Sequence, residues 1–228
     1  MFFYDYYYFV LVIPAILISL FAQMKVTSTY KKYSQIMSRN AKTATEVTRM
    51  ILDMNGLNNV RIESVSGKLT DHYDPKANVI RLSDSVRSDI SVASIGVAAH
   101  EAGHAIQHAQ GYMPIKFRNA IVPVANIGSK LSIPLILLGI ILSFEPLVTF
   151  GIAAFSLVLL FQVVTLPVEF NASRRALLTL SNNNILQGEE LSGAKRVLSA
   201  AALTYVAAVI TSLAQILRLI LINRNRRN

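Results

Sequence analysis

Charge-free apolar runs alternate along this chain with mixed polar stretches. Residues 6–24 (YYYFVLVIPAILISLFAQM) carry no charge, 131–168 carry only Glu145, and 198–222 carry only Arg218. A helix needs about 20 residues to cross a hydrocarbon core, so the outer two runs each suit one crossing. The middle run holds 38 residues, and Glu145 beside Pro146 reads as a turn between two crossings. Two crossings want about 40 residues. The first therefore begins ahead of Leu131, with Lys130 reaching to the interface. The pattern predicts four transmembrane helices.

Between the first and second apolar runs lie mixed residues sufficient for one small domain. Thr43-Ala44-Thr45-Glu46 has the spacing of a capping box, opening a helix that closes near Asn55-Gly56. Residues 60–65 (VRIESV) and 78–83 (NVIRLS) alternate as strands do, with turn chemistry at Asp74-Pro75-Lys76-Ala77. A small sheet or hairpin is expected. Ser91 to Gln110 (SVASIGVAAHEAGHAIQHAQ) reads as a helix, with Gly111 placed to end it. The predicted class is a mainly α integral membrane protein with a small α+β cytoplasmic part.

Composition agrees with the pattern: 53% of residues are hydrophobic and 15% charged, away from the balance of soluble domains. The N-terminus lacks the basic start and small-residue cleavage site of a signal peptide. Phe2, Phe3, Tyr4, Tyr6, Tyr7 and Tyr8 suit an interfacial aromatic belt ahead of a retained anchor. A net charge of +9 would fit nucleic acid. Its distribution argues against that partner and for the bilayer. Lys25, Lys31, Lys32, Arg39, Lys42, Lys116, Arg118, Arg174, Arg175, Lys195 and Arg196 all flank apolar runs, in two connecting regions. The positive-inside rule makes both regions cytoplasmic, in a multi-pass protein of the cell membrane. Arg224, Arg226 and Arg227 argue the other way, so the last run is expected either to cross or to lie partly in the interface. The expected organisation is an anchor (1–24), a cytoplasmic α+β region (25–118), a transmembrane hairpin (119–168), a second cytoplasmic segment (169–197) and a C-terminal apolar segment with a basic tail (198–228). No cysteine is present, which excludes thiolate metal sites and disulfides.

The chemistry concentrates at His100-Glu101-Ala102-Gly103-His104. Residues four apart share a helical face, roughly 6 Å apart along the axis, so both imidazoles can reach one tetrahedral Zn²⁺. Glu101 projects beside them, able to take a proton from water without ligating the ion. This is the H-E-x-x-H arrangement of zinc hydrolases. In a helix otherwise small and apolar, such a cluster is costly to bury without a partner.

A catalytic zinc usually has a third protein ligand. His108 continues the series but lies about 12 Å along the axis from His100, too far to share one ion with it. His72, in a strand or turn, is possible. Glu169 is the stronger candidate: it follows the third apolar run, and two crossings return it to the face that carries His104. Its plainer role would be an interfacial ion pair with Arg174 or Arg175. Glu189 and Glu190 share that face but lie in a polar stretch that reads as loop and helix start.

With HEAGHAIQH followed two spans later by LPVEFNASRRA, and LTDHYDPKANVIRLS ahead of the metal helix, the chain resembles the YugP-type membrane zinc metallopeptidases over nearly its whole length. More distantly it resembles HtpX-type and CAAX prenyl membrane peptidases, whose metal helix is completed by a glutamate in a later E-[FY]-x-A-D motif. The resemblance implies His100, His104 and Glu169 as zinc ligands, Glu101 as general base, and peptide or protein substrates, membrane proteins among them. Ser173 stands where those distant relatives carry Asp; Asn171 or Ser173 could supply a weaker hydrogen bond to a ligand. Tyr73, His72, Arg174 and Arg175 are candidate oxyanion donors. The rival expectation is a membrane scaffold or adaptor with a structural or vestigial metal site.

Overall fold

The computed structural model describes residues 5–225, so Phe2, Phe3 and Tyr4 of the expected aromatic belt, and Arg226 and Arg227, lie outside the described residues. One turn of π-helix (Tyr8–Val12) leads into α1 (Ile13–Tyr33), followed by α2 (Ala44–Met54), β1 (Arg61–Val65), β2 (His72–Asp74), β3 (Val79–Ser83), the short α3 (Asp84–Arg87) and α4 (Val92–Ala109). Three long helices complete the chain: α5 (Met113–Ile141), α6 (Glu145–Asn182) and α7 (Gly188–Asn225). Four helical stretches, Tyr8–Tyr33, Met113–Ile141, Glu145–Asn182 and Gly188–Arg224, are long and apolar enough to cross a membrane. The protein is a mainly α membrane protein with a small α+β part.

The chain divides into two compact units. The first comprises Met1–Gln23, Lys116–Pro167 and Leu203–Asn228. Its helices meet through small residues: a Cβ at Gly128 would lie 2.5 Å from the Ala154 carbonyl oxygen, and one at Gly151 would lie 2.9 Å from that of Ser132. Backbones can approach this closely only where no side chain intervenes. Polar side chains join the first and last helical stretches. The Ser19 and Thr211 hydroxyls are 2.9 Å apart, and Arg218, 4% exposed, donates to the Asp5 carboxylate at 2.7 Å. An arginine in an apolar helix requires such a partner. The last apolar run therefore forms part of one continuous helix, α7.

The second unit comprises Met24–Ile115 and Val168–Ala202. Its sheet has the order β1-β3-β2. β2 and β3 form the hairpin about the Asp74-Pro75-Lys76-Ala77 turn, whereas β1 pairs with β3 in parallel, Arg61 opposite Val79. β3 is central and buried at four of its five positions, as expected for a strand paired on both sides. The core gathers Val47, Ile51 and Leu52 of α2, Ile80 and Leu82 of β3, Val92 and Ile95 of α4, and Leu180, Leu186 and Leu198 from later in the chain. The capping box at α2 forms as expected: Thr43 Oγ1 accepts from the Glu46 N–H, and Glu46 returns a bond to the Thr43 N–H at 2.7 Å.

One expectation needs correction. Glu145 and Pro146 are not the turn between crossings; they open α6, and the turn occupies residues 142–144, with Ser143 at φ +51°. Proline suits the first helical turn because its missing N–H would have no partner there. α6 then continues unbroken through Pro167 to Asn182, carrying Glu169 in mid-helix.

Candidate metal centre

The centre is built by α4 and by the part of α6 that belongs to the second unit, from Val168 onward. Ser91 caps α4, accepting from the Ser94 N–H at 3.3 Å, and the helix then runs almost wholly buried. α6 packs Val168, Ala172, Ala176 and Leu180, all at most 1% exposed, along one face, four residues apart. Glu169 and Ser173 ride on the neighbouring stripe of that helix. The two backbones come very close, since a Cβ at Gly103 would lie 2.6 Å from the Ala172 carbonyl oxygen. Only glycine fits that position. The approach brings α6 side chains against the imidazoles of α4.

Glu169 Oε2 lies 3.2 Å from His100 Nε2 and 3.5 Å from His104 Nε2. The three donors all lie within 4.8 Å of one another, and among the described residues they form the one group of three such ligands. Zn²⁺ bonds of 2.0–2.2 Å in a tetrahedron place ligand atoms roughly 3.3–3.6 Å apart, and the two carboxylate–imidazole distances lie close to the edges of that figure. The imidazole rings stand nearly perpendicular, 83°, with centroids 4.7 Å apart. Glu169 is 5% and His104 9% exposed. Burial opposes a charge on His104, but the carboxylates of Glu169 and Glu101 outweigh it and hold its pKa above the ordinary value. The site thus favours positive charge, and two imidazoles with a carboxylate are a donor set that Zn²⁺ accepts.

Glu101, 8% exposed, is absent from this trio. Its Oε2 accepts from the Tyr73 backbone N–H at 2.9 Å, so the outer edge of β2 faces the carboxylate. Tyr73 pairs with Ile80 on its other side, and burial raises the pKa of its phenol, which donates to Asn78 Oδ1 at 3.2 Å.

The remaining sequence candidates fall elsewhere. His108 is exposed near the Tyr73 ring, 6.0 Å between centroids. His72 Nδ1 meets the Thr70 carbonyl at 2.8 Å, and its Nε2 lies 3.4 Å from an Arg81 nitrogen. Glu190 accepts from the Arg39 N–H at 3.0 Å. Arg175 is held by Asn171 and Gln110, and Arg174 is exposed. Ser173 Oγ reaches His100 Nδ1 at 3.1 Å, taking one position the sequence left between it and Asn171. The residue that sequence reasoning missed is Gln107, fully buried, whose Oε1 lies 3.0 Å from His104 Nδ1. Its only signal was its place three residues after His104, on the same helical face.

A family model described as "Putative neutral zinc metallopeptidase" matches residues 8–224. A relative described as "Putative membrane protease YugP", from Bacillus subtilis (strain 168), is 45% identical over 218 residues, which cover 96% of this chain and 97% of the relative. No solved structure matches.

Proposed function

Because the chain belongs to the neutral zinc metallopeptidase family, we propose that it is a multi-pass protease of the cell membrane, gluzincin-like, that hydrolyses peptide bonds at its cytoplasmic face. The observation that carries this reading is Glu169 Oε2 set between the two Nε2 atoms of His100 and His104. These three residues would hold Zn²⁺. A bound Zn²⁺ supplies Lewis acidity, polarising the scissile carbonyl and lowering the pKa of a water. Glu101 takes the proton from the attacking water and passes it to the departing amine nitrogen. The Tyr73 N–H steadies the Glu101 carboxylate before that transfer. Burial of Glu169 and His104 lowers the effective dielectric around them, which strengthens their interactions with charge.

A structural site in a scaffold would be closed by four protein ligands; the group here has three, with Glu101 beside it. The test is purified protein carrying Glu101→Gln, assayed for zinc content and for cleavage of membrane-protein substrates. The amide keeps an oxygen for the Tyr73 N–H but cannot carry the proton. Zinc should stay near one ion per chain while turnover falls by about 10²–10⁴-fold. Undiminished cleavage by this variant would exclude the mechanism.

A further inference from the structure

Which nitrogen of His104 carries its proton decides whether Nε2 has a lone pair for a cation. Nδ1 faces Gln107 Oε1 at 3.0 Å. A side-chain amide could present either end, because its oxygen and nitrogen have nearly the same shape. The surroundings of Gln107 remove the choice, and the reasoning starts from Arg175. A guanidinium only donates. Arg175 Nε lies 2.7 Å from one terminal atom of Asn171, so that atom is the acceptor, Oδ1. The same Oδ1 lies 2.9 Å from the far end of Gln107, which must therefore donate. That end also lies 2.8 Å from the Val168 carbonyl oxygen, another pure acceptor. Both hydrogens of the Gln107 amide nitrogen are thus used, and Oε1 is left facing His104. An acceptor in that place requires a hydrogen on Nδ1. Reversing the amide would set its oxygen against two oxygens in a fully buried position.

We propose that Arg175, Asn171 and Gln107 form a directed hydrogen-bond relay that fixes neutral His104 as the Nδ1–H tautomer and so presets its Nε2 lone pair toward Glu169 and the metal position. The three are positioning residues, and the proposal rests on the zinc reading above. Arg175 is itself anchored, donating to Gln110 Oε1 and lying over the Tyr112 ring at 5.7 Å. Among the described residues His100 has no such director. Its Nδ1 meets the Ser173 hydroxyl, which can donate or accept. The relay therefore distinguishes the two histidines: one is set before metal arrives, the other adapts to it.

The test uses full-length, detergent-solubilised protein labelled with ¹⁵N-histidine. In metal-free protein at alkaline pH, where imidazoles are neutral, ring-nitrogen spectra assigned by difference from His104→Ala should show the proton of His104 on Nδ1. Gln107→Met should lose that fixed tautomer, and Asn171→Leu, which leaves only the Val168 carbonyl to orient Gln107, should loosen it. By chelator competition both should bind zinc roughly 10–100-fold more weakly than wild type, the usual effect of losing a group that orients a ligand. Asn171→Asp keeps an acceptor oxygen for both Arg175 and Gln107, so it should retain the tautomer and bind zinc at least as tightly as wild type. A structural need for the Asn171 amide would instead make Asp as damaging as Leu. Circular dichroism checks the fold, and if Gln107→Met fails to fold, the Asn171 pair decides. A proton on Nε2 in the wild type, or unchanged zinc affinity in folded Gln107→Met or Asn171→Leu, would overturn the relay. A wild type that shows the Nδ1 proton yet takes up no zinc would uphold the relay and sink the zinc reading instead.

Discussion

At the scale of single residues, the centre rests on a buried carboxylate shared by two imidazoles. His100→Ala and His104→Ala should each strip the metal, because three ligands are the least that holds a catalytic zinc. Glu169→Ala should do the same. His108→Ala should leave zinc occupancy unchanged, since His108 is exposed and outside the trio. Metal analysis of the purified variants separates these outcomes; loss with His108→Ala and retention with Glu169→Ala would refute the assignment. His100, Glu101 and His104 were legible from spacing alone, because helical periodicity puts them on one turn. Glu169 was legible only through topology, by counting crossings back to the same face. Gln107 was not legible. Its burial and its two acceptors come from α6, about sixty residues on, and nothing near Gln107 in the chain announces them.

At the scale of elements, the close crossing of α4 and α6 makes Gly103 a packing requirement inside a chemical motif. Gly103→Ala would press a Cβ to 2.6 Å from the Ala172 carbonyl oxygen, so the helices must separate. The expected cost is about 1–3 kcal/mol of stability, together with weaker zinc binding as Glu169 moves off the imidazoles; thermal unfolding and chelator competition measure the two. The β2–β3 hairpin carries a pH-dependent contribution. Arg81 donates to Asp74 at 3.0 Å and, with the Ala77 and Lys76 N–H groups, holds the Asp74 pKa below the ordinary value. A depressed carboxylate stabilises the fold above its unfolded pKa and loses that contribution as pH falls through the folded value. Stability should therefore decline on acidification below about pH 4, and Asp74→Asn should flatten that part of the curve in denaturation scans. Element by element, α2 could be read from its capping box and β1 and β3 from their alternation. The parallel pairing of β1 with β3 could not, because β2 is only three residues long and three residues show no period.

At the scale of the whole molecule, hydropathy alone gave four crossings, since bilayer thickness sets the length of an apolar helix. It misplaced the turn between the middle two crossings, because Glu145 and Pro146 open α6 and do not form that turn. The proposed orientation rests on the flanking cations, and a labelling experiment tests it. Ser66 and Asn183 are exposed and belong to the same compact unit. Single cysteines at the two positions of this cysteine-free chain should react with a membrane-impermeant thiol reagent only after cells are broken. Labelling from opposite sides would deny Glu169 a place in the His100–His104 site and make His72 the leading third ligand. The two-unit division also bears on biosynthesis. Each unit is assembled from separated stretches of sequence, the second needing residues as late as Ala202 and the first needing everything from Leu203 onward. A ribosome that has finished α6 has delivered all three metal-site side chains, but not Leu186, Ala194, Val197 or Leu198, which complete the core around them. In this order of synthesis the core around the candidate centre is complete only once the first turns of α7 have been made.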